Sequence, residues 1–86
     1  MGGGQEAMIM VRAYVLIQTE VGQAAGVAKE VTEVDGVGSA ESVTGPYDVI
    51  AMVEAASVDD LGRMVVSRIQ GVKGITRTLT CPVVRF

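Results

Sequence analysis

Apolar residues alternate with other residues between positions 11 and 18, which is the spacing of a β-strand. One face of this predicted strand carries Val11, Ala13, Val15 and Ile17. The other face carries Arg12, Tyr14, Leu16 and Gln18. Because this second face is only partly polar, we expect it to be covered as well.

Two longer stretches follow the helical period instead. Apolar residues between positions 21 and 34 recur three or four positions apart, at Ala24, Val27, Ala28, Val31 and Val34. We predict an amphipathic helix there that ends before residues 35–36. A second helix is predicted after Ser57, a favourable N-cap residue, and it should end near residues 70–71. Its apolar stripe consists of Leu61, Met64, Val65, Ile69 and Val72.

Three further strands complete the pattern. Residues 37–44 are weakly patterned, which suits a sheet edge, whereas residues 47–54 are almost continuously apolar, which suits a central strand. Residues 75–84 are rich in β-branched side chains, and Pro82 marks an edge position or the end of this strand.

The resulting order, βαββαβ, predicts an α+β domain of the ferredoxin-like class. In this class two helices lie on one face of a four-stranded antiparallel sheet, with the first and third strands in the centre. The second sheet face is then left with the apolar side chains of Tyr14, Leu16, Ile50 and Met52 or their neighbours. An uncovered apolar face of this kind predicts a subunit interface.

Chain length and composition agree with an associating globular domain. We assign residues 1–9 to a flexible, glycine-rich tail and residues 10–86 to a single domain. A domain of this size buries a smaller fraction of its surface than a larger domain does, so association with other subunits is expected. Hydrophobic residues make up 49% of the chain, which favours a folded protein over a disordered one. The net charge of -3, with both signs interspersed, argues against direct binding of nucleic acid.

The residue types restrict the chemistry further. The sequence has one cysteine, Cys81, and no histidine, which excludes an internal disulfide and a multi-cysteine metal site. We therefore expect neither a metal nor a cofactor. No apolar run approaches the roughly 18 residues that span a bilayer, and the N-terminus lacks the pattern of a signal peptide. We expect a cytoplasmic protein that does not contact the membrane.

The most concentrated polar chemistry lies at residues 43–48, Val-Thr-Gly-Pro-Tyr-Asp. Gly45 and Pro46 predict a tight connection, and they either offer backbone N–H groups to a ligand carboxylate or only shape the turn. Tyr47 either caps an apolar pocket or lies in an interface. Asp48 either accepts a hydrogen bond from a ligand ammonium group or bonds to nearby backbone amides.

The last strand supplies the other candidate residues. Thr78 and Thr80 share one face, where their hydroxyl groups could line a pocket, although β-branched residues are also simply good strand formers. Cys81 is interpreted as a small buried or interface residue rather than a nucleophile, because the chain has no histidine to activate it.

Together these two stretches resemble a known family. The sequence Val-Thr-Gly-Pro-Tyr-Asp-Val at positions 43–49, followed by Ile69 and by Gly-Ile-Thr-Arg-Thr-Leu-Thr at positions 74–80, is similar to the effector-binding domain of the Lrp/AsnC transcription regulators. The resemblance covers nearly the whole chain from Val11 onward. It implies a sensor of an amino acid or a related small molecule.

The resemblance also implies an assembly and a site. Members of the family dimerise through their sheets, in an arrangement like a dimeric α/β-barrel, so we expect a homodimer that assembles further into an octamer or decamer. Ligands in the family bind between dimers, near the positions of residues 45–48 and 78–81. Only about ten residues precede the first strand, which leads us to expect the form without a helix-turn-helix domain. Such a form would act through full-length Lrp/AsnC regulators.

Other functions fit the predicted fold less well. Small dimeric ferredoxin-like domains can be enzymes, but without histidine the candidate bases are Glu41, Asp48 and Glu54, and we expect no catalysis. A purely structural subunit that modifies a DNA-binding relative is a third possibility, and an amino-acid-binding ACT-type domain is the closest structural alternative. An RNA-binding sheet is disfavoured, because the chain is acidic and has few aromatic residues.

Overall fold

Residues 10–84 are the part of the chain that the computed structural model describes. The strands are β1 (Val11–Thr19), β2 (Val37–Ser42), β3 (Val49–Ala55) and β4 (Ile75–Pro82). The helices are α1 (Ala24–Thr32) and α2 (Val58–Met64), and α2 continues as a π-helix over Val65–Ile69. The predicted tail, residues 1–9, and the last two residues of the predicted domain lie outside the described residues.

The four strands form one antiparallel sheet in the order β2-β3-β1-β4. The predicted ferredoxin-like fold is therefore confirmed, with β1 and β3 in the centre. The weakly patterned β2 lies at one edge. The other edge is β4, which ends at Pro82, as the position of that proline predicted.

The hydrophobic core lies between the sheet and the two helices. The sheet contributes the fully buried side chains of Ala13, Val15, Ile17, Val49, Ala51 and Val53. The helical layer contributes Val27, Ala28, Val31, Leu61, Val65, Ile69 and Val72. These residues confirm the predicted alternation in β1 and most of the predicted apolar stripes of the helices. The helices cover this face alone, so the opposite face of the sheet remains uncovered within one chain.

The start of α2 and its π-helical end both keep the apolar stripe directed at the core. The Ser57 hydroxyl oxygen accepts a hydrogen bond of 3.1 Å from the Asp60 N–H, which confirms the predicted N-cap. At the other end the Gln70 N–H donates a hydrogen bond of 2.8 Å to the Val65 carbonyl, five residues earlier, which is the spacing of a π-helix. The wider turn holds Ile69 in the core behind Leu61.

Several elements are shorter than predicted, for identifiable reasons. Helix α1 begins at Ala24 rather than at residue 21, because Gly22 adopts a φ of 80° and closes a turn after β1. Strand β3 begins at Val49, since Tyr47 and Asp48 belong to the connecting loop. Strand β4 ends at Pro82, although the next N–H, that of Val83, still donates to the Arg12 carbonyl over 2.8 Å.

We predict that Leu61→Ala lowers the free energy of unfolding by about 2–5 kcal/mol, because it leaves a cavity in a small core. The control Val21→Ala removes an exposed side chain and should change this free energy by less than about 0.5 kcal/mol. Urea unfolding followed by far-ultraviolet circular dichroism measures both values. Equal unfolding midpoints for the two variants would contradict the burial of Leu61.

Candidate functional site

Three loops meet at one end of the sheet. They are residues 20–23 after β1, residues 43–48 between β2 and β3, and residues 70–74 before β4. The Glu20 N–H donates a hydrogen bond of 2.8 Å to the Gly74 carbonyl, and the Thr19 N–H reaches Asp48 over the same distance. The loop that carries the candidate polar residues is therefore part of a continuous surface.

Asp48 connects the loop to the end of β1 through its backbone and its side chain. Its N–H donates to the Ile17 carbonyl over 2.9 Å, and its carbonyl accepts from the Val43 N–H over 2.9 Å. Carboxylate oxygen Oδ2 accepts a hydrogen bond from the Thr19 N–H at 2.8 Å, and the Thr19 hydroxyl lies 3.4 Å away. The second oxygen, Oδ1, accepts no hydrogen bond from residues 10–84. The carboxylate thus bonds to backbone with one oxygen and keeps the other available.

The tip of the loop is exposed to solvent. Gly45 has a φ of 133°, a value that a side chain would make unfavourable, and it is exposed, as is Pro46. The Gln18 side-chain amide donates to the Pro46 carbonyl over 3.1 Å. Neither the Gly45 N–H nor the Tyr47 N–H donates to another residue within the described part of the chain. The loop therefore has two backbone donors that no other described residue uses, and the ring of Tyr47 is half-buried.

Thr78 and Thr80 lie on the helix-covered side of β4, as their pairing with Ile17 and Val15 requires. Both are half-buried, and the Thr78 hydroxyl oxygen accepts a hydrogen bond of 2.8 Å from the Gln70 side-chain amide. The prediction that the two threonines share a face is confirmed. Thr78 also lines a cleft of about 380 Å³ together with Gln70, Ile75, Thr76 and Arg77.

Cys81 lies on the opposite, uncovered face, where it pairs with Tyr14. Its thiol is free and exposed in the single chain, so the interpretation of Cys81 as buried is wrong at this level of structure. The alternative, a residue of an interface, stays a prediction. The alternation of side chains along a strand is the physical reason that Cys81 and Thr80 point in opposite directions.

One chain does not bring the loop and β4 into a single pocket. Ile17 of β1 pairs with Val49 on one side and with Thr78 on the other. Two strand spacings, about 10 Å, therefore separate the start of β3 from Thr78. The predicted site residues occupy two separate half-sites, one in the loop at residues 45–48 and one on β4.

The uncovered sheet face is apolar in its centre, as predicted. We define this open face by the side chains of Tyr14, Leu16, Ile50, Met52, Leu79 and Cys81, which the register places on one side. Tyr14 on the central strand β1 is 43% exposed, and Leu79 on the edge strand β4 is 45% exposed. Large apolar side chains with this exposure are typical of an interaction surface.

A larger cleft, of about 410 Å³, lies far from the loop, beside Gly36 and Met64. Five charged side chains line it: four of them form two ion pairs, and the fifth, Glu54, lies 3.6 Å from Arg12. Arg68 lies 3.9 Å from Asp35, and Arg63 lies 3.7 Å from Asp60. Because each of these charges already has a partner of opposite sign, this cleft offers a ligand less unpaired polar chemistry than the loop does.

Sequence reasoning missed the residues that position both half-sites. Gln18 and Thr19 hold the loop, and Gln70 holds Thr78. The sequence contains only a weak signal for these residues. Gln18 and Thr19 are polar residues at the end of an apolar strand, and Gln70 is a polar residue at the end of an apolar helix stripe. Within residues 10–84, no three cysteine, aspartate or glutamate side chains are grouped closely enough to hold a metal ion. No helix in this part of the chain has the length and apolar character needed to cross a membrane.

Comparison with known proteins gives the family. Residues 12–86 match the model of the Lrp/AsnC ligand binding domain. An uncharacterized HTH-type transcriptional regulator of Pyrococcus furiosus is 30% identical over 54 residues, a match that covers 63% of this chain and 36% of the regulator. The chain thus matches only about a third of that relative's length.

Solved structures agree with this result. The Thermus thermophilus protein TTHA0845 is 32% identical with a TM-score of 0.82, over 88% of this chain and 95% of that chain. The Neisseria meningitidis regulator NMB0573, solved as a complex with L-Met, is 14% identical with a TM-score of 0.79, over 99% of this chain and 56% of that chain. The second likeness shows the fold alone. Because the family model matches nearly its whole length, this chain belongs to the Lrp/AsnC family as a ligand binding domain.

Proposed function

We propose that this chain is an effector-binding and oligomerisation domain for an amino acid or a related small molecule. We propose further that it acts in transcription regulation through a DNA-binding Lrp/AsnC relative. The observation that carries the first proposal is the carboxylate of Asp48, which β1 holds through Oδ2 while Oδ1 accepts no hydrogen bond from residues 10–84.

The loop offers groups that suit both ends of an amino acid. A ligand ammonium group would donate to Asp48 Oδ1 in a charge-assisted hydrogen bond. The N–H groups of Gly45 and Tyr47, which donate to no other described residue, would bind the ligand carboxylate. The ring of Tyr47 would contact the ligand side chain.

The second half-site would come from another subunit. Thr78 and Thr80 lie across β1 from the loop, so within one chain they are too far from Asp48 to contact the same small ligand. We propose that the loop of one subunit and β4 of a neighbouring subunit form the complete pocket between dimers. Cys81 would then contribute through the interface at the open face.

The family supports a regulatory role, and one relative by fold was solved with an amino acid. The matching relative from Pyrococcus furiosus is described as a transcriptional regulator, and the regulator from Neisseria meningitidis was solved with L-Met. The open face supports a homodimer, and we propose that the dimers assemble into an octamer or decamer. A purely structural role in such an assembly would also use the open face, but it would not require the arrangement at Asp48.

We propose that the domain is not an enzyme. The three carboxylates considered as bases lie at separate places on the sheet. Glu54 lies 3.6 Å from the Arg12 guanidinium. Glu41 is on β2, where it pairs with Ile50 of β3, and Asp48 in the loop accepts a hydrogen bond from Thr19. This dispersion gives no pair of groups that could act as acid and base on one substrate.

We predict that the protein binds at least one common amino acid in isothermal titration calorimetry. Asp48→Asn should weaken this binding at least about tenfold, because a charge-assisted hydrogen bond contributes about 1.5–3 kcal/mol. The asparagine side chain still has an oxygen to accept from the Thr19 N–H, so the loop should remain in place.

Asp35→Asn is the matched control, because it removes an equal charge from a carboxylate that is 97% exposed at the opposite end of the sheet. The affinity of this variant for the amino acid should equal that of the wild type. Absence of heat with every common amino acid, or equal affinity for Asp48→Asn and wild type, would contradict the proposal.

We predict that Leu79→Lys converts the homodimer into a monomer, because the charge would be buried in the interface at the open face. The control Ala25→Lys adds the same charge at an exposed position of α1 and should leave the dimer intact. Sedimentation velocity measures the mass of each species. A wild-type protein that sediments as a monomer would rule out the interface at the open face.

A further inference from the structure

The exposed side of α2 carries an apolar ridge, defined by Val58, Gly62 and Val66. These residues are four positions apart, so they lie on successive turns of one helix side. Val58 is 60% exposed and Val66 is 65% exposed, whereas the next apolar residues, Leu61 and Val65, are buried. We propose that this helix ridge packs antiparallel against the same ridge of a second copy and thereby joins dimers into the higher oligomer.

The centre of the helix ridge allows a close approach. A Cβ atom built on Gly62 would meet no atom within 4 Å, so nothing covers the helix backbone there. Gly62 and Val66 line a shallow depression of about 470 Å³ with Arg63 and Ser67. The second copy would place its own helix in this depression.

The spacing of the helix ridge is self-complementary. Val58 precedes Gly62 by four residues, and Val66 follows it by four. A two-fold axis at Gly62 would therefore place each Val58 opposite the Val66 of the second copy. Such an isologous contact uses one patch twice, which is the arrangement that joins identical subunits symmetrically.

Charges beside the helix ridge favour the same orientation. Asp59 and Arg63 are four residues apart along one flank and have opposite signs. In an antiparallel pair, Arg63 of one copy lies beside Asp59 of the other. The Arg63 side chain is 80% exposed, and its contact with Asp60 is long at 3.7 Å, so it can reach a second copy. Complementary charges of this kind favour the antiparallel orientation.

This inference rests on the proposed assembly of dimers into a larger oligomer. The helix ridge belongs to the helical layer, and the open face lies on the other side of the sheet, so one subunit can use both surfaces together. A contact between two helices of this length is smaller than the roughly 1,000 Å² of a stable interface. We therefore expect stable dimers that associate through the ridge as the protein concentration rises.

Sedimentation velocity over a range of concentrations tests the ridge. Gly62→Glu would place a charge at the centre of the contact, so species larger than the dimer should disappear while the dimer remains. Gly26→Glu is the matched control, because Gly26 is also an exposed helical glycine with open space around it. Val66→Lys repeats the test without changing a glycine, and circular dichroism verifies that each variant is folded.

A charge exchange tests the orientation. Asp59→Arg and Arg63→Asp should each weaken the association of dimers, and the double variant should restore it. A wild-type protein that stays a dimer at every concentration would overturn the inference, and so would a Val66→Lys variant that assembles like the wild type. A wild type whose higher oligomer is lost in Gly62→Glu and Val66→Lys, but which binds no amino acid, would support the ridge and contradict the effector-binding proposal, which separates the two.

Discussion

Helices α1 and α2 cover only one face of the four-stranded sheet, and the second face has no cover within the chain. The core is therefore one layer deep and built mainly from β-branched and small residues such as Val15, Val31 and Ala51. On the other side, Tyr14 of β1 and Leu79 of β4 are left partly exposed. The same one-sided packing that gives the domain its core thus also gives it a surface that favours association.

The candidate site follows from where this sheet ends. Strand β1 separates the loop that holds Asp48 from the β4 residue Thr78, and each half-site has its own anchor, Thr19 in one case and Gln70 in the other. About two strand spacings lie between the two half-sites of one chain, and we propose that a small ligand contacts the loop of one subunit and β4 of another. Association and ligand binding are therefore linked in this account: the pocket would exist only where subunits meet.

The order of elements could be predicted because each has a clear period, and Ser57 marks the start of α2. The loop could be found but not its geometry. Tyr47 and Asp48 leave the predicted strand because Asp48 bonds to Thr19, which is 29 residues away and invisible to a local pattern. The position of Cys81 could have been predicted, because side chains alternate along β4 and adjacent residues such as Thr80 and Cys81 face opposite sides of the sheet. The family resemblance had placed both residues near one ligand site.

Mixing two variants tests the shared pocket most directly. Asp48→Asn chains have a defective loop and an intact β4, whereas Thr78→Val chains have the reverse. If the pocket is shared, co-refolded oligomers should regain tight amino-acid sites that neither variant has alone, as measured by titration calorimetry. A mixture that binds no more tightly than the two variants measured separately would contradict the account and would place the whole site within one chain.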